Sequence, residues 1–423
     1  MSFDLQASIK TVSQSIQLSN GKQVPNRFLK SAMTERLCTW GEDLQDRGKP
    51  TPEYIRLYEE WGKGGLGVLV LGNLPCDVRY PEAVHNACID PKSNWDQVEA
   101  FKPVIKASKG PDGKTVIGQI THAGRQTPNH VSKEPISSSD IQSPPLGGME
   151  FAKPRPATIE EINDIVKRFG FAAKVLYDAG ADGAQLHCAH GYLLSQFLSP
   201  RVNRRSDQYG GSLENRSRIL FEILDEIKRQ VPDEKFIRSI KINSADFAEG
   251  GFDEDESRET CQKLEAAGMH LIELSGGTYE SLAFAHKKES TKKREAFFIE
   301  FAERIRPHLK SAKLAVTGGF RSVHMMAQAI NEGSCDIVGI ARPLTGELHF
   351  PNRLMSGKQD KAADNLVAEG VQLPASYLQL SEAGDGKTPS DLSNPEVAKK
   401  VQAAIEKDPA GAMRLHPILH RDY

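Results

Sequence analysis

The fold class that this sequence predicts is α/β: a (β/α)8 TIM barrel with a long capping loop and a C-terminal extension. Three observations carry that expectation. Eight short apolar, β-branched runs alternate with longer amphipathic runs over residues 1–345. The apolar runs are nearly continuous, as in parallel strands covered on both faces. The repeat then stops, so the chain of 423 residues divides into a barrel, 1–345, and an extension, 346–423.

The strands are expected at Arg27–Met33, Leu66–Leu74, Thr115–Ile120, Ala184–His187, Phe236–Asn243, His270–Ser275, Lys313–Thr317 and Asp336–Ile340. Helices fall between them. Glu53–Gly62 places Tyr54, Ile55, Leu57, Tyr58 and Trp61 at helical spacing. Thr158-Ile159-Glu160-Glu161 reads as a capping box that opens a helix running to about Ala179. Ser212 caps the next, whose buried stripe is Leu213, Ile219, Leu220, Ile223, Leu224 and Ile227. Asp253–Ala267, Arg294–Ile305 and Val323–Asn331 complete the set. A doubly wound sheet is the alternative, but no Gly-x-Gly-x-x-Gly follows an early strand. Pro128–Pro156, rich in Ser, Pro and Gly, is too long and too irregular for an ordinary βα connection and is expected to cover the barrel mouth. In the extension one helix stands out, Asn394–Lys407. The extension is expected either to pack on the barrel or to make a subunit contact, the second outcome giving a homo-oligomer.

Composition narrows the function class. Hydrophobic content of 39% with 26% charged residues is ordinary for a globular protein, and a formal net charge of -2 gives no reason to expect a nucleic-acid partner. The locally basic Lys287–Arg294 reads as a solvated loop, with attraction of a cofactor phosphate as the other reading. Cys38, Cys76, Cys88, Cys188, Cys261 and Cys335 form no Cys-x-x-Cys pair, so neither a zinc ribbon nor an iron–sulfur cluster is supported. Met1–Lys10 shows no apolar run of signal-peptide length, and no stretch approaches the ~20 apolar residues of a membrane span. The expectation is a cytoplasmic enzyme with a small-molecule substrate.

Chemistry concentrates where the fourth strand ends, in Leu186-His187-Cys188-Ala189-His190-Gly191-Tyr192. Two imidazoles and a phenol at a barrel strand's carboxyl end can bind an oxygen and deliver a proton. The same pair, joined by His122 at the end of the third strand, could instead ligate a metal, as in a metal-dependent barrel hydrolase. Barrels usually build a phosphate site after strands seven and eight. Gly318 and Gly319 follow the seventh strand here, and Ala341 and Arg342 the eighth, so a non-catalytic phospholigand-binding barrel is a further alternative.

The run Gln196-Phe197-Leu198-Ser199-Pro200-Arg201-Val202-Asn203-Arg204-Arg205, continuing through Asp207-Gln208-Tyr209-Gly210-Gly211-Ser212 to Glu214-Asn215-Arg216, resembles the old yellow enzyme family of flavin-dependent ene-reductases. So do the His187/His190/Tyr192 pattern before it, Lys30-Ser31-Ala32-Met33-Thr34, and Gly118-Gln119-Ile120-Thr121-His122-Ala123-Gly124-Arg125. The resemblance spans about Ser31–Pro343. It implies an FMN-dependent oxidoreductase that reduces activated C=C bonds with NADH or NADPH in two half-reactions. It implies that His187 and His190 grip a substrate carbonyl and that Tyr192 donates a proton. It places Ser31, Ala32 and Met33 along the flavin, Thr34 at its O4/N5 edge, and Gln119 on its pyrimidine. Gly72, at the second strand's end, would leave room for the ring. The position beside flavin N1 and O2, an arginine in many relatives, is Lys241 here. Lysine brings the charge without the planar fork. A buried lysine needs an anionic neighbour, and Arg238, on the opposite face of the strand, is the rival cation. Arg36 and the Pro128–Pro156 loop are expected to shape substrate choice.

Overall fold

The computed structural model describes residues 4–146, 148–246, 249–276 and 299–408. Eight parallel strands close into a barrel in sequence order. They are β1 Phe28–Lys30, β2 Val68–Pro75, β3 Thr115–Thr121, β4 Gly183–Cys188, β5 Ile237–Asn243, β6 Leu271–Ser275, β7 Lys313–Thr317 and β8 Ile337–Ile340. Each lies within two residues of its expected span except β1, which is only three residues long. Its backbone leaves the ladder after Lys30, where Ser31 N–H bonds Ile340 O at 2.9 Å and Met33 N–H bonds Gly72 O at 2.6 Å. The helices between strands are also where patterning places them. Thr158 and Glu161 make the reciprocal capping box on Ile159–Asp178, and the Ser212 side chain accepts from Asn215 N–H on Leu213–Gln230. Of the helix expected at Arg294–Ile305, the described part is Ile299–Ile305. Residues 294–298 and the basic Lys287–Arg294 lie outside the described residues.

Alternation along the strands divides the barrel interior into two ends. Leu29, Val68, Val70, Ile117, Ile237, Leu271, Ala315 and Ile337 form one apolar cluster, and Ile16, Leu18 and Val24 from a short N-terminal hairpin join it. This closes the amino-terminal end. Further along, the same face turns polar on or just after six of the strands: Ser31, Gln119, Thr121, Gln185, His187, Lys241, Glu273, Ser275 and Thr317, all buried. The carboxyl end is therefore lined with hydrogen-bonding groups inside an apolar shell.

Two segments differ from the sequence expectation. The long loop is not wholly irregular: Ile136–Ser137 pairs in parallel with Arg155–Pro156. Ser137 and Ser138 then bond Gln196, at 2.9 Å each, on the short helix Leu193–Leu198 that follows Tyr192. The extension holds a second long helix, Gln372–Gly384, besides Pro395–Lys407. Its periodicity is blurred because Ser376, Gln379 and Ser381 are buried together with Ala375 and Leu380. No helix of the described residues is long and apolar enough to cross a membrane.

Candidate active site

The carboxyl end of β4 forces the geometry of the histidine pair. His190 has φ 61°, the left-handed region that costs a non-glycine residue energy. Its backbone is held there from two sides: N–H donates to Asn243 Oδ1 at 3.1 Å, and the carbonyl accepts from Gln126 Nε2 at 3.0 Å. Asn243 is itself oriented by Asp246, 3.0 Å away. The rings then form a chain. Thr121 Oγ1 and His187 Nδ1 are 3.0 Å apart, His187 Nε2 and His190 Nδ1 3.2 Å, and His190 Nε2 and Ser275 Oγ 2.7 Å. The Tyr192 ring lies edge-on to His187 with centroids 4.6 Å apart. The three expected catalytic side chains are thus assembled, and Thr121, Ser275 and Asn243, which the sequence did not single out, frame them.

Both imidazoles are neutral at physiological pH. Burial, with His190 and Lys241 nearby, holds His187 well below the usual histidine range. Desolvation and the Lys241 charge bring His190 to about 3, against a smaller opposing pull from Glu273. Burial also lowers His122 to about 4. These groups titrate near 6.5 in an unfolded chain. The unfolded state therefore binds more protons below that pH, and stability present at neutral pH is lost as pH falls from about 6.5 towards 4. The thermal midpoint should be lower at about pH 5 than at about pH 7. A midpoint that rises over that interval contradicts these assignments.

His122 does not join the pair. Its Nδ1 accepts from Gly124 N–H at 3.0 Å, and its ring stacks on Tyr80 at 5.0 Å. Among the described residues no group of three or more His, Cys, Asp or Glu side chains is placed to hold a metal. The three-histidine hydrolase alternative loses its site, because His122, His187 and His190 are not brought together as a ligand set.

The floor of the mouth is a continuous polar network. Lys241 Nζ donates to Ser31 Oγ at 2.7 Å and pairs with Glu273 Oε1 at 3.0 Å. The buried lysine's anionic neighbour is thus a protein carboxylate on the next strand. Gln119 Nε2 donates to Gln185 Oε1 at 2.7 Å. Arg238 is no rival, since it turns to Gly268 O, His270 and Glu234, each 3.1 Å away, on the other face of β5.

The remaining expected residues surround this floor. Gly72 is not at a strand end but inside β2, at a register shift between Leu71 and Leu74. With φ 85°, its N–H reaches the Tyr58 hydroxyl at 2.8 Å, and a Cβ there would lie 2.7 Å from Leu74 N. Thr34 follows β1 as expected, but its hydroxyl donates to the buried Glu82 at 2.9 Å. Ala32 packs on the interior apolar cluster and Met33 on the outer core. Arg36, buried and at φ 59°, stacks its guanidinium 4.1 Å from the Tyr377 ring. Gly318, Gly319, Ala341 and Arg342 line one cleft of about 860 Å³, together with Arg321. Arg342 has a lowered pKa, first from desolvation and then from the Arg321 charge. An anion between the two guanidiniums would relieve that repulsion. Arg342 also donates to Gln372 at 2.6 Å. One helix of the extension, Gln372–Gly384, therefore meets both the phosphate side and the Arg36 side of the site, a role that the sequence reading left undecided.

FMN fits what is present. A phosphate needs close backbone N–H groups and fixed cations, which Gly318, Gly319, Arg342 and Arg321 offer. A pyrimidine edge needs both donor and acceptor plus a cation for the charge gained on reduction, which Gln119 and Lys241 offer on the same end of the barrel.

Comparison with known proteins agrees. Residues 14–361 match the model of the NADH:flavin oxidoreductase / NADH oxidase family. The chain is 38% identical to the NADH-dependent flavin oxidoreductase nadA of Aspergillus parasiticus, over 91% of this chain and 88% of that protein. It is 32% identical to the NADH oxidase of Thermoanaerobacter brockii, over 80% of this chain but only 50% of that longer protein. Among solved structures, an old yellow enzyme homologue from Zymomonas mobilis superposes with TM-score 0.69 at 20% identity, covering 90% of this chain and 98% of that one. A 2-naphthoyl-CoA reductase superposes with TM-score 0.77 at 23% identity, covering 94% of this chain and 58% of that one. The barrel that closes around these strand ends is therefore that of an oxidoreductase working with FMN and NAD(P)H, and the chain belongs to the NADH:flavin oxidoreductase / NADH oxidase family, of the old yellow enzyme type.

Proposed function

We propose that this enzyme reduces the activated C=C bond of α,β-unsaturated carbonyl compounds with NAD(P)H by a ping-pong mechanism. The observation that carries the reading is the His187–His190 pair, two neutral rings 3.2 Å apart with Tyr192 against them. The FMN that Gln119, Lys241 and the phosphate cleft would hold would supply the hydride-transfer chemistry between the nicotinamide and the substrate β-carbon. The chain's own residues do the rest. For His187 Nε2 and His190 Nδ1 both to donate to one carbonyl oxygen, the outer nitrogen of each ring must accept. Thr121 and Ser275 hydroxyls sit at those nitrogens, 3.0 and 2.7 Å away, and can turn to donate. Substrate binding then exchanges the ring-to-ring contact for two donors on one oxygen. Negative charge grows on that oxygen as hydride arrives, so the donors act mostly in the transition state. Tyr192 protonates the α-carbon.

In this reading Ser31, Ala32, Met33, Thr34, Gly72, Gln119 and Lys241 hold the ring, and Gly318, Gly319, Ala341 and Arg342 the phosphate. Arg36, braced by Tyr377, borders the substrate. The names of the relatives favour NADH as reductant. Residues 1–345 make up the catalytic barrel and 346–423 an extension, of which the described helix Gln372–Gly384 packs on the barrel, in a cytoplasmic enzyme. The test is anaerobic. NADH or NADPH should bleach the flavin absorbance, and cyclohexenone, added after the oxidised nicotinamide is removed, should restore it with one equivalent of saturated ketone. Bleaching without enone-driven recovery would leave a flavin oxidoreductase of another substrate class.

A further inference from the structure

Glu273 has no part in the functional reading above, yet it is the most heavily bonded side chain beneath the mouth. It sits in mid-β6 with no exposure. Its Oε1 accepts from Ser31 Oγ at 2.6 Å and Thr317 Oγ1 at 2.7 Å and pairs with Lys241 Nζ at 3.0 Å. Its Oε2 accepts from Gln185 Nε2 at 3.0 Å. Burial alone would raise this carboxyl, but Lys241 and the Ser31 and Thr317 hydroxyls hold it below the usual carboxylate range.

We propose that Glu273 is the positioning residue of the flavin floor: its carboxylate offsets the Lys241 charge and sets the direction in which the Gln185 and Gln119 amides point. Two physical facts lead there. First, an ionised carboxylate only accepts hydrogen bonds. Gln185 must turn its NH2 to Glu273, which turns its oxygen to Gln119 Nε2, 2.7 Å away. Gln119 therefore spends one N–H on Gln185 and keeps its oxygen and second N–H for a ligand. Reversing Gln185 would set its oxygen against the carboxylate, so the orientation of the whole chain is fixed from Glu273. Second, an anion 3.0 Å from Lys241 offsets part of its charge toward anything stacked above the pair, as it does at His190. Lys241 alone would favour the negative charge that FMN gains on reduction; the pair favours it less. Glu273 thus acts through Lys241 and the two amides and touches neither substrate nor, in this reading, the flavin.

The proposal rests on FMN lying over Gln119 and Lys241, and a parent protein that binds no FMN removes that reading first. Given bound FMN, the measurement is the midpoint potential of four holoproteins. Glu273→Gln leaves Lys241 uncompensated and should raise the potential. Lys241→Met leaves Glu273 uncompensated and should lower it. The double variant restores neutrality and should return close to the parent, which a merely structural role for Glu273 would not produce. Apo-protein melting gives an independent reading: the double variant should melt above both single variants, because each single change buries one unpaired charge. Gln185→Leu cuts the amide chain but spares the ion pair. It should weaken FMN binding about tenfold, the scale of one hydrogen bond of about 1.4 kcal/mol, with the potential near that of the parent. If Glu273→Gln does not hold FMN, the comparison moves to the double variant, which must sit above Lys241→Met. Potentials that match the parent in both single variants, a double variant no nearer the parent than Lys241→Met, or a double variant that alone loses FMN overturn the charge role. Unchanged FMN affinity in Gln185→Leu overturns the orienting role.

Discussion

Tyr192→Phe should reoxidise with an enone about 10²-fold more slowly than the parent, while its reduction by NAD(P)H proceeds at nearly the parental rate. The substitution keeps the ring, so the contact with His187, centroids 4.6 Å apart, is preserved and only the hydroxyl is lost. Phe also leaves the entry to Leu193–Leu198 intact, since Tyr192 caps that helix without a side-chain bond to its backbone. General-acid assistance typically contributes 10²–10⁴-fold, so about 2.7 kcal/mol or more is at stake in the one step that delivers a proton to carbon. Oxygen or a quinone needs no such proton, and reoxidation by either should be nearly unchanged. Stopped-flow measurement of the separate half-reactions checks this. A Phe variant that reoxidises with enone at the parental rate returns Tyr192 to a packing role.

His187→Ala and His190→Ala should each weaken binding of phenolic or enone ligands and slow enone reduction by about 10²-fold or more, the usual effect of removing one donor from a site of developing charge. The double variant should lose less than the product of the two, because both rings serve one oxygen and share a hydrogen-bonded chain. The protonation states add a second signature. With His190 at about 3 and His187 far below its ordinary value, ligand affinity should be flat from about pH 5 to 8. Titration of a ligand's absorbance band across that range measures it. A break near pH 6.5, or parental affinity in both single variants, would remove the paired-donor role.

Most of the barrel was legible because a parallel strand buried on both faces writes itself as a local apolar run. Val68-Leu69-Val70-Leu71 needs no partner to be read that way, and neither do the caps at Thr158 and Ser212. The histidines and tyrosine were legible because they too are local, falling within six residues at the end of one strand. What could not be read was what barrel closure brings together. Ser31 meets Lys241 across 210 residues of sequence and Glu273 across 242. A local signal for Glu273 did exist, a lone carboxylate inside the run Leu271–Ser275, two positions from Ser275 on the same face. The helix Gln372–Gly384 gave less, because it buries polar and apolar residues together, and its Tyr377 contact with Arg36 joins opposite ends of the chain. Gly72 was placed at the strand's end because a glycine usually punctuates a strand. Here it marks a bulge within one.

The central claim is that the strand ends form a site for FMN that NAD(P)H can reduce. The absorbance spectrum of the purified protein, before and after anaerobic addition of NADH, tests it most directly. Flavin bands in the visible, a released chromophore that is FMN, and bleaching by the nicotinamide are expected. A colourless protein that takes up no FMN, or bound FMN that neither NADH nor NADPH bleaches, would contradict it.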